Sequence, residues 1–193
     1  MFEGLKLRYF ATIAADPGTK FDVRSAKGIT SRAAESKYTT LKDAEIAALP
    51  VGDYAARDAF LFYWDTTPRV AVGRHIPIMQ AWGFTPCAIA FVWAKTLKHE
   101  ELFLYGDSSF HFGAGYTTRK NTEICVLGRR GKPARRARDV RELIISPRRE
   151  HSRKPDEFYA RVERFCDGPR LELFGRQQRA GWIVRGDQSE KFA

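Results

Sequence analysis

Five short runs of this chain read as strands, most of them continuously apolar: Tyr9–Ala15, Ala59–Trp64, Ala88–Trp93, Thr122–Leu127 and Leu171–Phe174. A strand with one wet face alternates apolar and polar residues. A strand that is apolar throughout must be covered on both sides, which is the condition of a largely parallel sheet with helices on its two faces. The segments between these runs supply the helices. Leu41–Leu49 repeats apolar residues at helical spacing and stops at Pro50. Pro68 opens a helix expected to run towards Trp82-Gly83, with Pro77 as an expected kink. Pro155–Cys166 carries Phe158, Val162 and Phe165 on one face, begins with a proline and is ended by Gly168-Pro169. Glu142–Ile145 reads as a further short strand, Trp182–Val184 as one lying beside Leu171–Phe174, and Ser25–Tyr38 and Leu97–Gly115 as loops. The expected class is therefore α/β, Rossmann-like and mostly parallel.

The 193 residues suit one domain spanning 1–193, and 44% hydrophobic content is enough for a core. No run approaches the length of a membrane span, and no charged-then-apolar-then-small pattern marks a signal peptide. Cys87, Cys125 and Cys166 are scattered and odd in number, without a metal or redox spacing. They read as reduced thiols of a cytoplasmic protein, two of them in the core. The formal net charge is +10, and its arginines crowd into Arg129–Arg138 and Arg148–Arg153. Neutralising phosphates releases counterions, and the guanidinium fork suits bidentate phosphate contacts. The expected partner is a nucleic acid, met by a basic flap over Gly128–Arg138.

Chemistry-bearing residues collect at strand ends. Asp16-Pro17-Gly18-Thr19 follows the first apolar run, and on local signals alone it is turn chemistry. Lys154 directly precedes the Pro155 helix, a positive corner suited to a carboxylate. Glu172-Leu173-Phe174-Gly175-Arg176 ends the last central strand, where a glycine permits close approach to the backbone. Gln178, Arg179, Asp187 and Gln188 follow it. No G-x-G-x-x-G is present, so nothing indicates a dinucleotide. His151 stands alone in a basic loop with no visible metal partner.

In order and spacing these segments resemble the MT-A70 family, adenine-N6 methyltransferases that use S-adenosylmethionine. The likeness runs from the strand before Asp16 to Gln188 and is strongest from Gly113 onward. It implies a class I methyltransferase fold in permuted order, with the catalytic-type loop first and the cofactor-type strand last. The family's D-P-P-W stands here as Asp16-Pro17-Gly18-Thr19. The resemblance implies that Asp16 and the Pro17 carbonyl hold the two protons of the adenine amine. Gly18 drops a stiff proline, and Thr19 drops the ring that stacks on the base. It also implies cofactor contacts for Asp16, Lys154, Glu172, Arg176, Gln178, Arg179, Asp187 and Gln188, with Asp187-Gln188 replacing the usual Asn-Gln. The segment Gly113–Glu123 resembles the family's G-x-G-Y-W-T-R-x-x-x-E with Thr117 for tryptophan. Tyr38, Tyr116 and Arg119 would then line the base-entry side, while on the charge argument above Arg135 and Arg136 of the basic flap hold the nucleic acid. Phe21, Tyr63, Trp64 and Phe112 are candidates for a replacement ring. Three readings follow: an adenine methyltransferase that is weak or partner-dependent, an inactive subunit that binds nucleic acid beside an active partner, or a methyltransferase with another acceptor. A homodimer, or a heterodimer with a related subunit, goes with this resemblance.

Overall fold

The structure, a computed structural model, describes residues 1–19, 40–97, 109–113, 118–150 and 153–192. Seven strands form one sheet in the order β5-β3-β4-β2-β1-β6-β7. They are β1 Phe10–Ala15, β2 Ala55–Asp65, β3 Thr85–Thr96, β4 Thr122–Arg130, β5 Leu143–Pro147, β6 Arg170–Leu173 and β7 Ile183–Arg185. All neighbours pair parallel except β4, which runs antiparallel to β2 and β3. The first strand and the last long one are therefore side by side, with β1 between β2 and β6.

Two cores lie on the two faces. One holds Ile13, Leu61, Tyr63, Val126 and Leu171, covered by α1 (Asp43–Ala47), α2 (Val51–Tyr54), α3 (Thr67–Ala71) and α4 (His75–Ala81). The other holds Phe60, Phe62, Trp64, Phe91 and Trp93 beneath α5 (Asp156–Phe165). Alternation along β2 assigns Phe60, Phe62 and Trp64 to one face and Leu61 and Tyr63 to the other, so both faces must be apolar. Phe158 anchors α5, with its ring 5.1 Å from Trp64, 5.6 Å from Phe91 and 6.1 Å from Phe62. At the other end of α5, Thr12 donates to the carbonyl of Asp167 at 2.7 Å, tying the helix exit to β1.

Two expectations change. The helix foreseen from Pro68 to Trp82 is two helices, and the break is not at Pro77. It falls at Gly73, whose φ of +72° is a left-handed value that glycine adopts without a Cβ clash. Pro77 sits in the first turn of α4, where its missing N–H costs no helix bond. The flap foreseen over Gly128–Arg138 is shorter, because Gly128, Arg129 and Arg130 continue β4 opposite Leu61, Phe60 and Ala59. The loop reading of Ser25–Tyr38 and most of that of Leu97–Gly115 fall outside the described residues.

Candidate active site

The carboxyl ends of β1, β2, β6 and β7 and the first residues of the antiparallel β4 share one end of the sheet. From β1 the chain crosses to β2 on one side, and from β6 to β7 on the other. The crevice outside such a divergence is where open α/β sheets bind small molecules.

Asp16 follows β1 directly, and Glu123 is the second residue of β4. Between them stands Lys154, 5% exposed, with its Nζ 2.9 Å from Asp16 Oδ2 and 2.8 Å from Glu123 Oε2. The other Glu123 oxygen accepts from Lys95 at the end of β3. The Lys154 ammonium also lies 4.9 Å from the ring centroid of Trp64, at the end of β2. Four strands thus contribute to one chain of alternating charge around the buried Lys154. Burial works against the charges of Asp16, Glu123 and Lys154. For Glu123 the two lysines outweigh that cost and hold its pKa at about 2. For Lys154 the two carboxylates outweigh it and push the ammonium further up. Asp16 shows the reverse balance: burial raises its pKa against the pull of Lys154 and Arg176.

Glu172, inside β6, is 8% exposed and accepts a 2.7 Å hydrogen bond from the hydroxyl of Tyr159 on α5. Burial pushes its carboxyl up to about 7, against that hydrogen bond and the positive charge of Arg179. Arg179 covers the Tyr159 ring at 3.8 Å and pairs with Asp156 in the first turn of α5. Arg176 is 8% exposed just past β6, near enough to bear on Asp16. The glycine in this strand end has a different reason from the one the sequence suggests. A Cβ on Gly175 would stand 2.3 Å from Val184 Cγ1 and 3.0 Å from Glu172 Cδ. The close approach is made by β7 itself, after a turn in which Phe174 takes a φ of +64°.

Asp16, Lys154, Glu172 and Arg176 are therefore brought together, the last three buried and Asp16 half-buried. Gln178, Asp187 and Gln188 lie outward, past the end of β7, where Gln178 and Asp187 share a cleft of about 430 Å³ with Arg185. Residues 16–18 do not form a turn. Leu41 donates to the Gly18 carbonyl at 2.8 Å, and Thr19 bridges Leu41 in parallel, with its side chain buried. Among the described residues none donates to the Pro17 carbonyl. The candidate rings separate cleanly. Tyr63 and Trp64 belong to the core, whereas Phe112 is 73% exposed with the Arg119 guanidinium 4.9 Å from its centroid. Phe112 stands at the site's end of the sheet, since the neighbouring His111 donates to the Lys95 carbonyl at 2.8 Å. Tyr38, Tyr116, Phe21, Thr117 and His151 fall outside the described residues.

Arg135 and Arg136 are not at this end. The N–H of Arg136 bonds the carbonyl of Phe165, where α5 ends, and β4 carries Arg129 six residues from Glu123. That is about 20 Å along a strand. The basic segment after β4 is thus separated from Glu123 by the length of one antiparallel strand.

A family model described as MT-A70 matches residues 10–188. The chain belongs to the MT-A70 family. It is similar to a Medicago truncatula protein named a putative N(6)-adenosine-methyltransferase MT-A70-like, at 31% identity over 93% of this chain and 26% of that protein. It is 34% identical to the type II methyltransferase M.MunI of a Mycoplasma, over 77% of this chain and 58% of that one. It is 30% identical to the human N(6)-adenosine-methyltransferase catalytic subunit METTL3, over 93% of this chain and 28% of that one. The chain spans 22–28% of the length of the eukaryotic MT-A70 relatives and over half of the Mycoplasma protein's.

Three residues around the site escape those expected from sequence: Glu123 and Lys95 of the charge chain, and Tyr159, which holds Glu172. Glu123 had a signal, being the acid that closes the MT-A70-like segment, three residues after Lys120. Lys95 had a weaker one, a cation at the end of an apolar strand. Tyr159 had none, because it reads as one more apolar residue of an amphipathic helix.

Proposed function

We propose that this chain is a methyl-transfer domain of the MT-A70 type, which holds S-adenosylmethionine at the carboxyl ends of β1 and β6 and methylates the exocyclic amine of adenine in a nucleic acid. The observation that carries this is the placement of Asp16 by Lys154, at 2.9 Å, beside Glu172 and Arg176. The donor set fits the cofactor. It offers carboxylates for an ammonium group, cations for a carboxylate, and Glu172 as an acceptor for ribose hydroxyls. When bound, the cofactor supplies an electrophilic methyl group.

The amine of adenine is a poor nucleophile because its lone pair is delocalised into the ring. Two acceptors that hold its two protons favour the pyramidal nitrogen. The Asp16 carboxylate is one and the Pro17 carbonyl is the other. Lys154 fixes the orientation of Asp16, and preorganised charge of this kind needs no rearrangement as the reaction proceeds. Thr19 is buried and presents no ring, so we assign base stacking to Phe112, with Arg119 behind it. A second reading, a non-catalytic subunit beside an active partner, is supported by the same Thr19. That the METTL3 relatives are named as subunits supports a partner for this chain in either case.

The test is cofactor titration by calorimetry, followed by methyl transfer to adenine-containing single-stranded DNA and RNA. Binding with transfer that Asp16→Ala abolishes supports the enzyme. Nucleic-acid binding without transfer supports the subunit. Robust transfer that survives Asp16→Ala overturns the assignment of Asp16.

A further inference from the structure

On the α5 face of the sheet, at the end away from Asp16, lies a cleft of about 650 Å³. Its walls are strands β2, β3 and β4, the exit of α5 at Phe165, and the segment that follows β4. Ala88, Leu127, Val140 and Phe165 give it an apolar lining, and Arg129, Lys132 and Arg135 stand on it with one acid, Glu142. Among the described residues, none of these three cations is in an ion pair, whereas neighbouring Arg136 pairs with Asp167 and Arg164 with Asp139. Their charge is therefore available to a ligand. The volume is that of a small-molecule site.

We propose that this cleft is a second nucleic-acid contact, which receives an unstacked base of a single strand while Arg129, Lys132 and Arg135 hold the flanking phosphates. The proposal rests on the reading of the chain as acting on nucleic acid, and extends it from one end of the sheet to both. Charge complementarity selects a polyanion. The concave apolar lining selects a single strand, because the bases of a duplex are stacked inside it and only its phosphates would reach the rim. With some 20 Å of strand between Glu123 and Arg129, a strand bound in the cleft spans several nucleotides before it reaches Asp16.

The cleft contains its own reporter. Cys87 lines it and is exposed, while Cys125 and Cys166 are buried. The alkylation rate of Cys87 by iodoacetamide, followed by intact mass, is measured alone and with a single-stranded 20-mer, the matching duplex, adenosine monophosphate and inorganic phosphate. The expected result is protection of at least fivefold by the single strand only. In the R129E/R135E variant protection is lost, and the salt slope of oligonucleotide binding falls by about 2. Both side chains are exposed, and a thermal melt checks that the fold persists. K132E is a second variant with the same expectation. Protection by phosphate or the mononucleotide at similar concentrations overturns the strand in favour of a small-anion site, and equal protection by the duplex overturns the unstacked base. If the 20-mer binds or is methylated while Cys87 reacts at full rate and R129E/R135E changes nothing, the cleft fails and the parent reading stands. If the 20-mer neither binds nor is methylated, both fail.

Discussion

Both ends of this sheet carry charge and treat it in opposite ways. At the Asp16 end, Lys154 and Lys95 are locked to Asp16 and Glu123 in a chain reached by four strands. At the Arg129 end, cations stand on an exposed rim, and those that pair do so in the open, as Arg136 with Asp167 at 60% and 69% exposure. Charge that must guide a reaction has to stay in place, and burial with paired partners achieves that. Charge that attracts a polyanion has to remain unspent. The two ends differ in what a substitution should cost.

The largest effect is expected at Lys154. Lys154→Met leaves the half-buried Asp16 and Glu123 carboxylates without their shared cation, a change of about 2–4 kcal/mol in stability, below the full cost of breaking a buried pair because Glu123 keeps Lys95. Chemical denaturation measures it. A loss below about 1 kcal/mol would show that this end is as loosely held as the other. Asp16→Asn keeps the shape of the site and removes the charge. Methyl transfer should fall at least a hundredfold, as expected when an acceptor aimed at the reacting group is lost, while the melting temperature shifts far less than in Lys154→Met.

Next comes the base. Phe112→Ala should weaken single-stranded oligonucleotide binding by about 1–3 kcal/mol, the range for one stacked base, and leave cofactor affinity unchanged. Anisotropy and calorimetry read the two separately. Equal binding by the variant would return the search for a stacking ring to other aromatic residues.

Glu172 gives a pH test. Its folded pKa is raised by burial from 4.5 to about 7. Between those values the folded chain holds a proton that the unfolded chain releases. The stability from Glu172 is therefore complete below pH 4.5 and lost as pH rises through 7. Cofactor affinity should move the other way, rising from pH 6 to 8 as Glu172 ionises and can accept from ribose hydroxyls. Glu172→Gln should flatten both slopes in melts and calorimetry across that range. The smallest effect belongs to the far end: Arg136→Ala, which removes one exposed pair, should change stability by less than about 1 kcal/mol.

Much of the fold was legible because its signals are local. Each of the five apolar runs contributes to a strand, and Phe158 and Val162 define the buried face of α5. The errors were also local in origin. Pro77 is a stronger breaking signal in sequence than Gly73, yet proline in a first turn does no harm. Gly128-Arg129-Arg130 reads as a basic turn, although it continues β4. In the sheet Gly128 is packed instead, where a Cβ would displace the Met79 methyl and stand 3.2 Å from Phe84 Cβ.

The sequence by itself determined the class of sheet, the family and the residue types of the reaction centre, since these depend on patterns within short segments and on their order. Tertiary structure decided which charges meet. Asp16, Glu123 and Lys154 lie far apart along the chain, and their contact exists only because β1 and β4 bring opposite chain directions to one end. The same antiparallel strand carries Arg129 to the other end, so residues adjacent in sequence to the site are separated from it in space. Partnership between charges follows from strand order and direction, and neither is written in any single segment.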